Sequence, residues 1–224
     1  MKIHIITAFP NLLRGPLDES IIKRSCDKKL VEIFIHDLRQ YSSDKHHRVD
    51  DYPYGGGPGM VLKPEPIFSC IEALLENYQI KNPNLIYLTP QGRVYNQSRA
   101  KELAEKEHLI FLCGHYKGVD ERVIAYWKMD EISIGNYVLT GGELPALVVI
   151  DSVIRLIPGV ISDLESARTD SFYDDSTLDC PYYTRPEVYR GLAVPEVLLS
   201  GNHAAIQQWR QNEAMKRTLA RAHQ

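Results

Sequence analysis

The sequence predicts an α/β domain with a mainly parallel sheet, followed by a small all-α C-terminal domain. Short apolar runs rich in β-branched residues alternate with stretches of helical spacing over the first part of the chain. Such alternation is typical of parallel strands joined by crossover helices. A polar stretch then precedes a second helical pattern. We therefore expect an α/β domain at residues 1–160, a flexible linker or lid at 161–179 and a helical domain at 180–224.

The strands and helices of the α/β domain follow from their apolar patterns. The predicted strands are Lys2–Thr7, Val31–His36, Leu85–Thr89, Leu109–Cys113 and Glu131–Gly135. The predicted helices between them are Leu17–Lys29, Pro66–Tyr78, Gln97–Glu107 and Asp120–Trp127. A further segment, Glu143–Ile157, is apolar on nearly every side. It is shorter than the about 20 apolar residues that cross a bilayer, so we expect a buried helix that is also suited to a subunit interface.

The C-terminal domain combines a helical pattern with a small positive surplus. Asn202 is the expected N-cap of the last helix. From Arg185 onward the chain has six Lys or Arg against three Glu, although the whole chain has a net charge of −3. This surplus suits contacts with RNA phosphates, but a solvated helix face explains so small a surplus more simply.

Composition excludes several classes of protein. With 224 residues, 44% of them apolar, the chain can bury a core without disulfides. The four cysteines (Cys26, Cys70, Cys113 and Cys180) are too far apart for a CxxC zinc or redox motif. The N-terminal residues lack the pattern of a signal peptide, so we expect a cytoplasmic protein without membrane contact. We assign no metal ligands.

Glycine-rich turns are the most unusual local feature of the chain. Gly55, Gly56, Gly57 and Gly59 lie within DDYPYGGGPGMVLKPEP, which fits neither a Walker A loop nor GxGxxG, and a tight structural turn is as good an interpretation as a ligand loop. Three more turns, LTPQG, CGHYKG and SIGNYVLTGGE, follow predicted strands. Ligands of parallel sheets bind beyond the carboxyl ends of the strands, so these turns predict one adenosine-sized pocket.

These glycine turns and three later motifs carry a resemblance over essentially the whole chain. The segments GGGPGM, LTPQG, CGHYKGVDERV, SIGNYVLTGGELPALVVIDSVIRLIPGV, LDCPYYTRPEV and LLSGNHAAIQQWR together resemble the bacterial tRNA (guanine-37-N1)-methyltransferases. The resemblance implies a SPOUT-class enzyme with a deep trefoil knot and a helical RNA-binding domain. It also implies S-adenosylmethionine as methyl donor, tRNA with guanosine at position 37 as substrate, and a homodimer with its active sites at the subunit interface.

The resemblance also implies the site residues. The donor-binding residues would be Tyr87, Leu88, Pro90, Gly114, Tyr116, Gly118, Ser133, Ile134, Gly135, Tyr137, Leu139, Gly141 and Pro145. The catalytic residues would be Asp170, which removes the proton from guanine N1, and Arg155, which stabilises negative charge at O6. Without the resemblance, an ion pair between Arg155 and Asp151 is the simpler interpretation. His115 is expected to be a wall residue rather than a catalytic group.

This sequence departs from the usual pattern of the family at three positions. Lys117, Thr169 and Asn136 stand where acidic residues are common. Because magnesium prefers carboxylate oxygens, these changes argue against magnesium dependence, although Asp170 and main-chain oxygens remain available as ligands. Two other functions stay open: a noncatalytic RNA-binding protein or sensor of an adenosyl ligand, which intact Asp170 and Arg155 disfavour, and a flavodoxin-like flavin-binding protein.

Overall fold

The first part of the chain is built on a sheet of five parallel strands. The computed structural model describes residues 1–161, 169–174 and 176–222, and the chain divides into two compact units, Met1–Ser162 and Asp163–Gln224. The strands of the first unit are β1 (Lys2–Thr7), β2 (Glu32–Asp37), β3 (Asp50–Asp51), β4 (Val61–Leu62), β5 (Asn84–Val94), β6 (His108–Cys113) and β7 (Asp130–Ser133). The central sheet has the order β2-β1-β6-β5-β7, and every neighbouring pair is parallel. The predicted α/β class with a mainly parallel sheet is confirmed.

Helices cover both faces of this sheet. They are α1 (Asn11–Leu17), α2 (Ser20–Asp27), α3 (Pro64–Asn77), α4 (Gln97–Ala104), α5 (Glu121–Trp127) and α6 (Glu143–Ile154). The single helix predicted at 17–29 is wrong in its start: α2 begins only at Ser20, which has a left-handed φ of 51°, and an unpredicted α1 precedes it. None of the described helices is long and apolar enough to cross a membrane.

The apolar core consists of two layers, one on each face of the sheet. Successive residues of β6 alternate between them: Leu109 and Phe111 pack with the buried side of α6, whereas Ile110 and Leu112 pack with α3. Side chains of a strand point alternately to opposite faces, so a strand covered on both faces is apolar throughout. This explains why β6 is a continuous apolar run in the sequence.

The second unit contains a small hairpin as well as helices. Its described elements are β8 (Val188–Tyr189), β9 (Leu192–Ala193), a short helix at Glu196–Leu199 and a long C-terminal helix at His203–Ala222. The prediction of an all-α domain therefore missed the hairpin, whose strands are too short to show an alternating pattern. Both residues of its turn, Arg190 and Gly191, have positive φ, as a tight hairpin requires. The linker predicted at 161–179 stays a prediction, since residues 162–168 and Asp175 lie outside the described residues.

Candidate active site

Loops at the carboxyl ends of β5, β6 and β7 enclose a cavity of about 170 Å³. The structure brings together here every residue that the resemblance implies for donor binding. These are Tyr87, Leu88, Pro90, Gly114, Tyr116, Gly118, Ser133, Ile134, Gly135, Tyr137, Leu139, Gly141 and Pro145. The predicted turns thus lie in one layer, as expected at one edge of a parallel sheet.

The cavity has further lining residues that the sequence analysis did not assign to donor binding. They are Thr89, Gln91, His115, Lys117, Ile132, Val138, Thr140 and Gly142. Most of them lie inside the same three glycine motifs. Their position between residues assigned to donor binding was therefore the feature of the sequence that could have identified them. Their side chains add hydroxyl, amide and cationic groups to the predominantly apolar and glycine lining.

The loop after the buried part of β5 leaves the sheet and returns to it. Leu88 and Arg93 both pair with Ile132 of β7, so residues 89–92 bulge out toward the cavity. A Cβ atom added to Gly92 would lie against the backbone of Glu131. Glycine at this position therefore allows β5 to come back to β7 and places Thr89 to Gln91 on the cavity wall.

The loops after β6 and β7 are joined through their backbones. The Gly142 amide donates a hydrogen bond of 2.9 Å to the Gly114 carbonyl oxygen, and α6 begins directly afterwards. A Cβ atom on Gly142 would lie 2.7 Å from the Cys113 Cα, and one on Gly114 would lie 2.9 Å from a ring carbon of Tyr87. This side of the cavity is thus shaped by the close approach of the Gly142 and Cys113 backbones and by the packing of Gly114 against the Tyr87 ring. Burial raises the pKa of Tyr87, so its phenol stays neutral.

The glycine-rich loop before β4 contacts the cavity wall through its end. Gly55, Gly56, Gly57 and Gly59 all have positive φ, which only glycine adopts at little cost. The next residue, Met60, accepts a 3.0 Å hydrogen bond at its carbonyl oxygen from the Lys117 amide. These contacts therefore indicate that the glycine-rich loop is a structural turn that supports the loop after β6.

A buried carboxylate lies behind the cavity wall. Glu143 is only 1% exposed, and its Oε1 accepts a 2.6 Å hydrogen bond from the Thr7 hydroxyl. Its Oε2 is 3.3 Å from His115 Nε2, which is within ion-pair distance but not aligned as a hydrogen bond. The His115 ring lies 4.2 Å from that of Phe9. His115 is thus a packed wall residue, and nothing in the apolar pattern of α6 indicated the role of Glu143.

The two predicted catalytic residues belong to different units. Arg155 is the C-cap that directly follows α6, and its amide donates a 3.3 Å hydrogen bond to the Asp151 carbonyl oxygen. Asp170 is half-buried and lines a cavity of about 270 Å³ inside the second unit, together with Asp174 and Arg210. The structure describes each residue within its own unit, so their meeting in one site stays a prediction. Over the described ranges, no group of three or more His, Cys, Asp or Glu is placed to hold a metal ion.

Comparisons with known protein sequences show which family this chain belongs to. The profile of the family described as tRNA (Guanine-1)-methyltransferase TrmD matches residues 1–224. A protein of Clostridioides difficile named tRNA (guanine-N(1)-)-methyltransferase is 53% identical over 99% of this chain and 95% of its own length. A protein of the same name from Dehalococcoides mccartyi is 56% identical over 99% of this chain and 88% of its own length. The chain therefore belongs to the tRNA (Guanine-1)-methyltransferase family.

Proposed function

We propose that this chain transfers a methyl group from S-adenosylmethionine to N1 of guanosine 37 in tRNA. The observation that carries the proposal is the cavity beyond β5, β6 and β7, which gathers every residue implied for the donor in a chain of this family. The knotted topology of the SPOUT class and a cytoplasmic location belong to the same proposal.

The lining suits an adenosyl group. Glycines at 114, 141 and 142 let the loops that line the cavity pack closely against Tyr87, His115 and the Cys113 backbone, where a side chain would clash. Leu88, Ile134 and Leu139 supply apolar walls for a purine, and Tyr87 and Tyr137 supply aromatic ones. The bound donor supplies an electrophilic methyl group on a sulfonium.

Asp170 is assigned the removal of the guanine N1 proton. The ring nitrogen has its lone pair available for the methyl group only after this proton leaves, and a positioned carboxylate is the group that can accept it. General-base catalysis of this kind contributes about 10² to 10⁴ in rate. The half-buried position of Asp170 beside a cavity supports the assignment, since a base must be accessible to its substrate.

Arg155 is assigned the charge that develops at guanine O6. As N1 loses its proton, negative charge spreads to O6, and a fixed guanidinium there stabilises the transition state more than the ground state. Arg155 stands at the end of α6, the helix whose first turn lines the donor cavity through Pro145. The rigid helix therefore fixes its backbone relative to that cavity.

A homodimer with shared active sites completes the proposal. The outer face of α6 and the loop before it carry exposed apolar side chains: Leu144 is 54% exposed, Val148 49% and Val138 83%. Contiguous exposed apolar groups are typical of an interaction surface. The resemblance to the family implies that, in such a dimer, Asp170 of the partner subunit would serve the cavity of the first.

The C-terminal unit is assigned the binding of tRNA. The phosphates of tRNA would be contacted by Arg185, Arg210, Lys216 and Arg217. The target guanosine would leave its base stack to reach the general base Asp170. Magnesium would then act mainly on the folding of tRNA, because Lys117 on the cavity wall repels cations.

The test compares Asp170→Ala with the wild-type enzyme on tRNA transcripts that have guanosine or adenosine at position 37. We expect the single-turnover rate on the guanosine transcript to fall at least about 10²-fold, with donor affinity near normal by calorimetry. Glu196→Gln, which removes an exposed carboxylate from the same unit, is the control and should keep its rate. Near-normal transfer by Asp170→Ala would exclude it as the base, and wild-type binding without methylation would favour the noncatalytic sensor.

A further inference from the structure

The cavity wall carries a single permanent charge among its described residues. Lys117 is the only Lys, Arg, Asp or Glu that lines it, and its side chain is exposed. None of the ion pairs formed within the described ranges involves Lys117. Lys117 therefore places on the cavity wall a positive charge that no carboxylate of the described residues pairs with.

The fold fixes the stem of Lys117 beside the cavity. Its amide is bound to the Met60 carbonyl oxygen, and the turn behind it is closed by a 3.0 Å hydrogen bond from the Gly118 amide to the His115 carbonyl oxygen. The aliphatic stem lies over Gly59, where an added Cβ atom would be 2.8 Å from Lys117 Cγ and 3.3 Å from its Cε. The missing side chain of Gly59 thus makes room for the lysine.

This charge must discriminate between the two forms of the adenosyl ligand that the proposed function requires. The donor carries a sulfonium, an ammonium and a carboxylate, whereas the product S-adenosylhomocysteine has lost the sulfonium charge. The carboxylate is common to both, so its attraction to Lys117 largely cancels in the comparison. The repulsion of the sulfonium does not cancel, because only the donor carries that charge. Salt screens the repulsion only in part when the two charges are within one Debye length, about 10 Å at 0.1 M salt.

We propose that Lys117 sets the balance between donor and product affinity by weakening the binding of the cationic donor relative to that of the neutral product. This inference rests on the proposed function, since it requires an adenosyl ligand in the cavity. Unit charges about 8 to 10 Å apart in a partly solvated site change such a ratio about three- to tenfold. Lys117 is thereby a determinant of product inhibition.

Calorimetry on the full chain tests this with three probes: S-adenosylmethionine, S-adenosylhomocysteine and the uncharged 5′-methylthioadenosine. In Lys117→Gln, the ratio of the donor Kd to the product Kd should fall about three- to tenfold, and Lys117→Glu should lower it further. Lys117→Arg should keep the wild-type ratio. The control is Lys106→Gln, which removes an exposed lysine before β6, about 20 Å away at the opposite end of this strand.

Each outcome decides between distinct explanations. The change in ratio should shrink at 0.5 M salt, and the affinity for 5′-methylthioadenosine should be the same in all variants. A ratio that stays within twofold of wild type in both Lys117→Gln and Lys117→Glu overturns the inference. Equal loss of affinity for all three probes also overturns it, because Lys117 would then shape the cavity rather than act by charge. If the wild-type chain binds none of the probes, the proposed function itself fails.

Discussion

Gly142→Ala adds one methyl group at the contact that joins the β6 loop to the start of α6. The new Cβ would lie 2.7 Å from the Cys113 Cα and 3.0 Å from the Gly114 amide nitrogen, and both are backbone atoms that cannot rotate away. Gly142 has a φ of −82°, which alanine adopts without strain, so the clash alone determines the effect.

The expected cost follows from this geometry. Ordinary van der Waals contact begins at 3.4 Å, so the two loops must separate by about 0.7 Å. Overpacking of this size costs about 1 to 3 kcal/mol of the free energy of unfolding. In a chain of this length, that lowers Tm by about 2 to 12 °C. Because Gly142 also lines the cavity, we expect weaker binding of S-adenosylmethionine as well.

Thermal unfolding and calorimetric donor titration measure the two effects. Gly15→Ala is the matched control, since it adds the same methyl group in α1, where no described atom beyond the adjacent residues and the helix backbone lies within 4 Å of the new Cβ. Its free energy of unfolding should stay within about 1 kcal/mol of wild type, as the helical gain is opposed by the following Pro16. If Gly142→Ala matches wild type in both stability and donor affinity, the close packing of these loops is not what holds the cavity.

Three further predictions concern stability. Thr7→Val leaves the buried Glu143 carboxylate without its 2.6 Å hydrogen bond and should lower the free energy of unfolding in urea by about 2 to 3 kcal/mol. Thr7→Ser keeps the hydroxyl and should retain most of the wild-type stability. A Thr7→Val variant as stable as wild type would contradict the role of the bond. His4 is fully buried, and burial, with repulsion from neighbouring positive groups, lowers its pKa to about 3. Below pH 6.5 this histidine is protonated in the unfolded chain but stays neutral in the folded chain until about pH 3. The free energy of unfolding is therefore highest above pH 6.5 and falls toward pH 3, by about 2 kcal/mol at pH 5. A His4→Phe variant that keeps the full pH dependence in urea titrations would show that another group is responsible. Asn202→Ala removes the 3.2 Å hydrogen bond to the Ala205 amide and should cost about 0.5 to 2 kcal/mol, seen as faster hydrogen exchange in the first turn of the C-terminal helix, and Asn202→Asp should preserve protection there.

The sequence determined the sheet and the place of the cavity. Lys2–Thr7 was predicted with the bounds that the structure has, and the other central strands differ mainly at their ends. Continuous apolar runs identify strands buried on both faces, and glycine turns after such strands must meet at one edge of a parallel sheet. Local patterns therefore sufficed to predict which loops enclose the cavity.

Tertiary structure alone decided the contacts between distant parts of the chain. Thr7 and Glu143 are 136 residues apart, and neither strand nor helix pattern indicates that their side chains meet behind His115. Likewise, no sequence pattern indicates that β5 pairs with Ile132 a second time after its bulge, or that the side chain of Lys117 packs over Gly59. Apolar periodicity specifies which face of an element is buried, but not which polar groups of other elements lie opposite it, because that depends on how the packed layers are brought together.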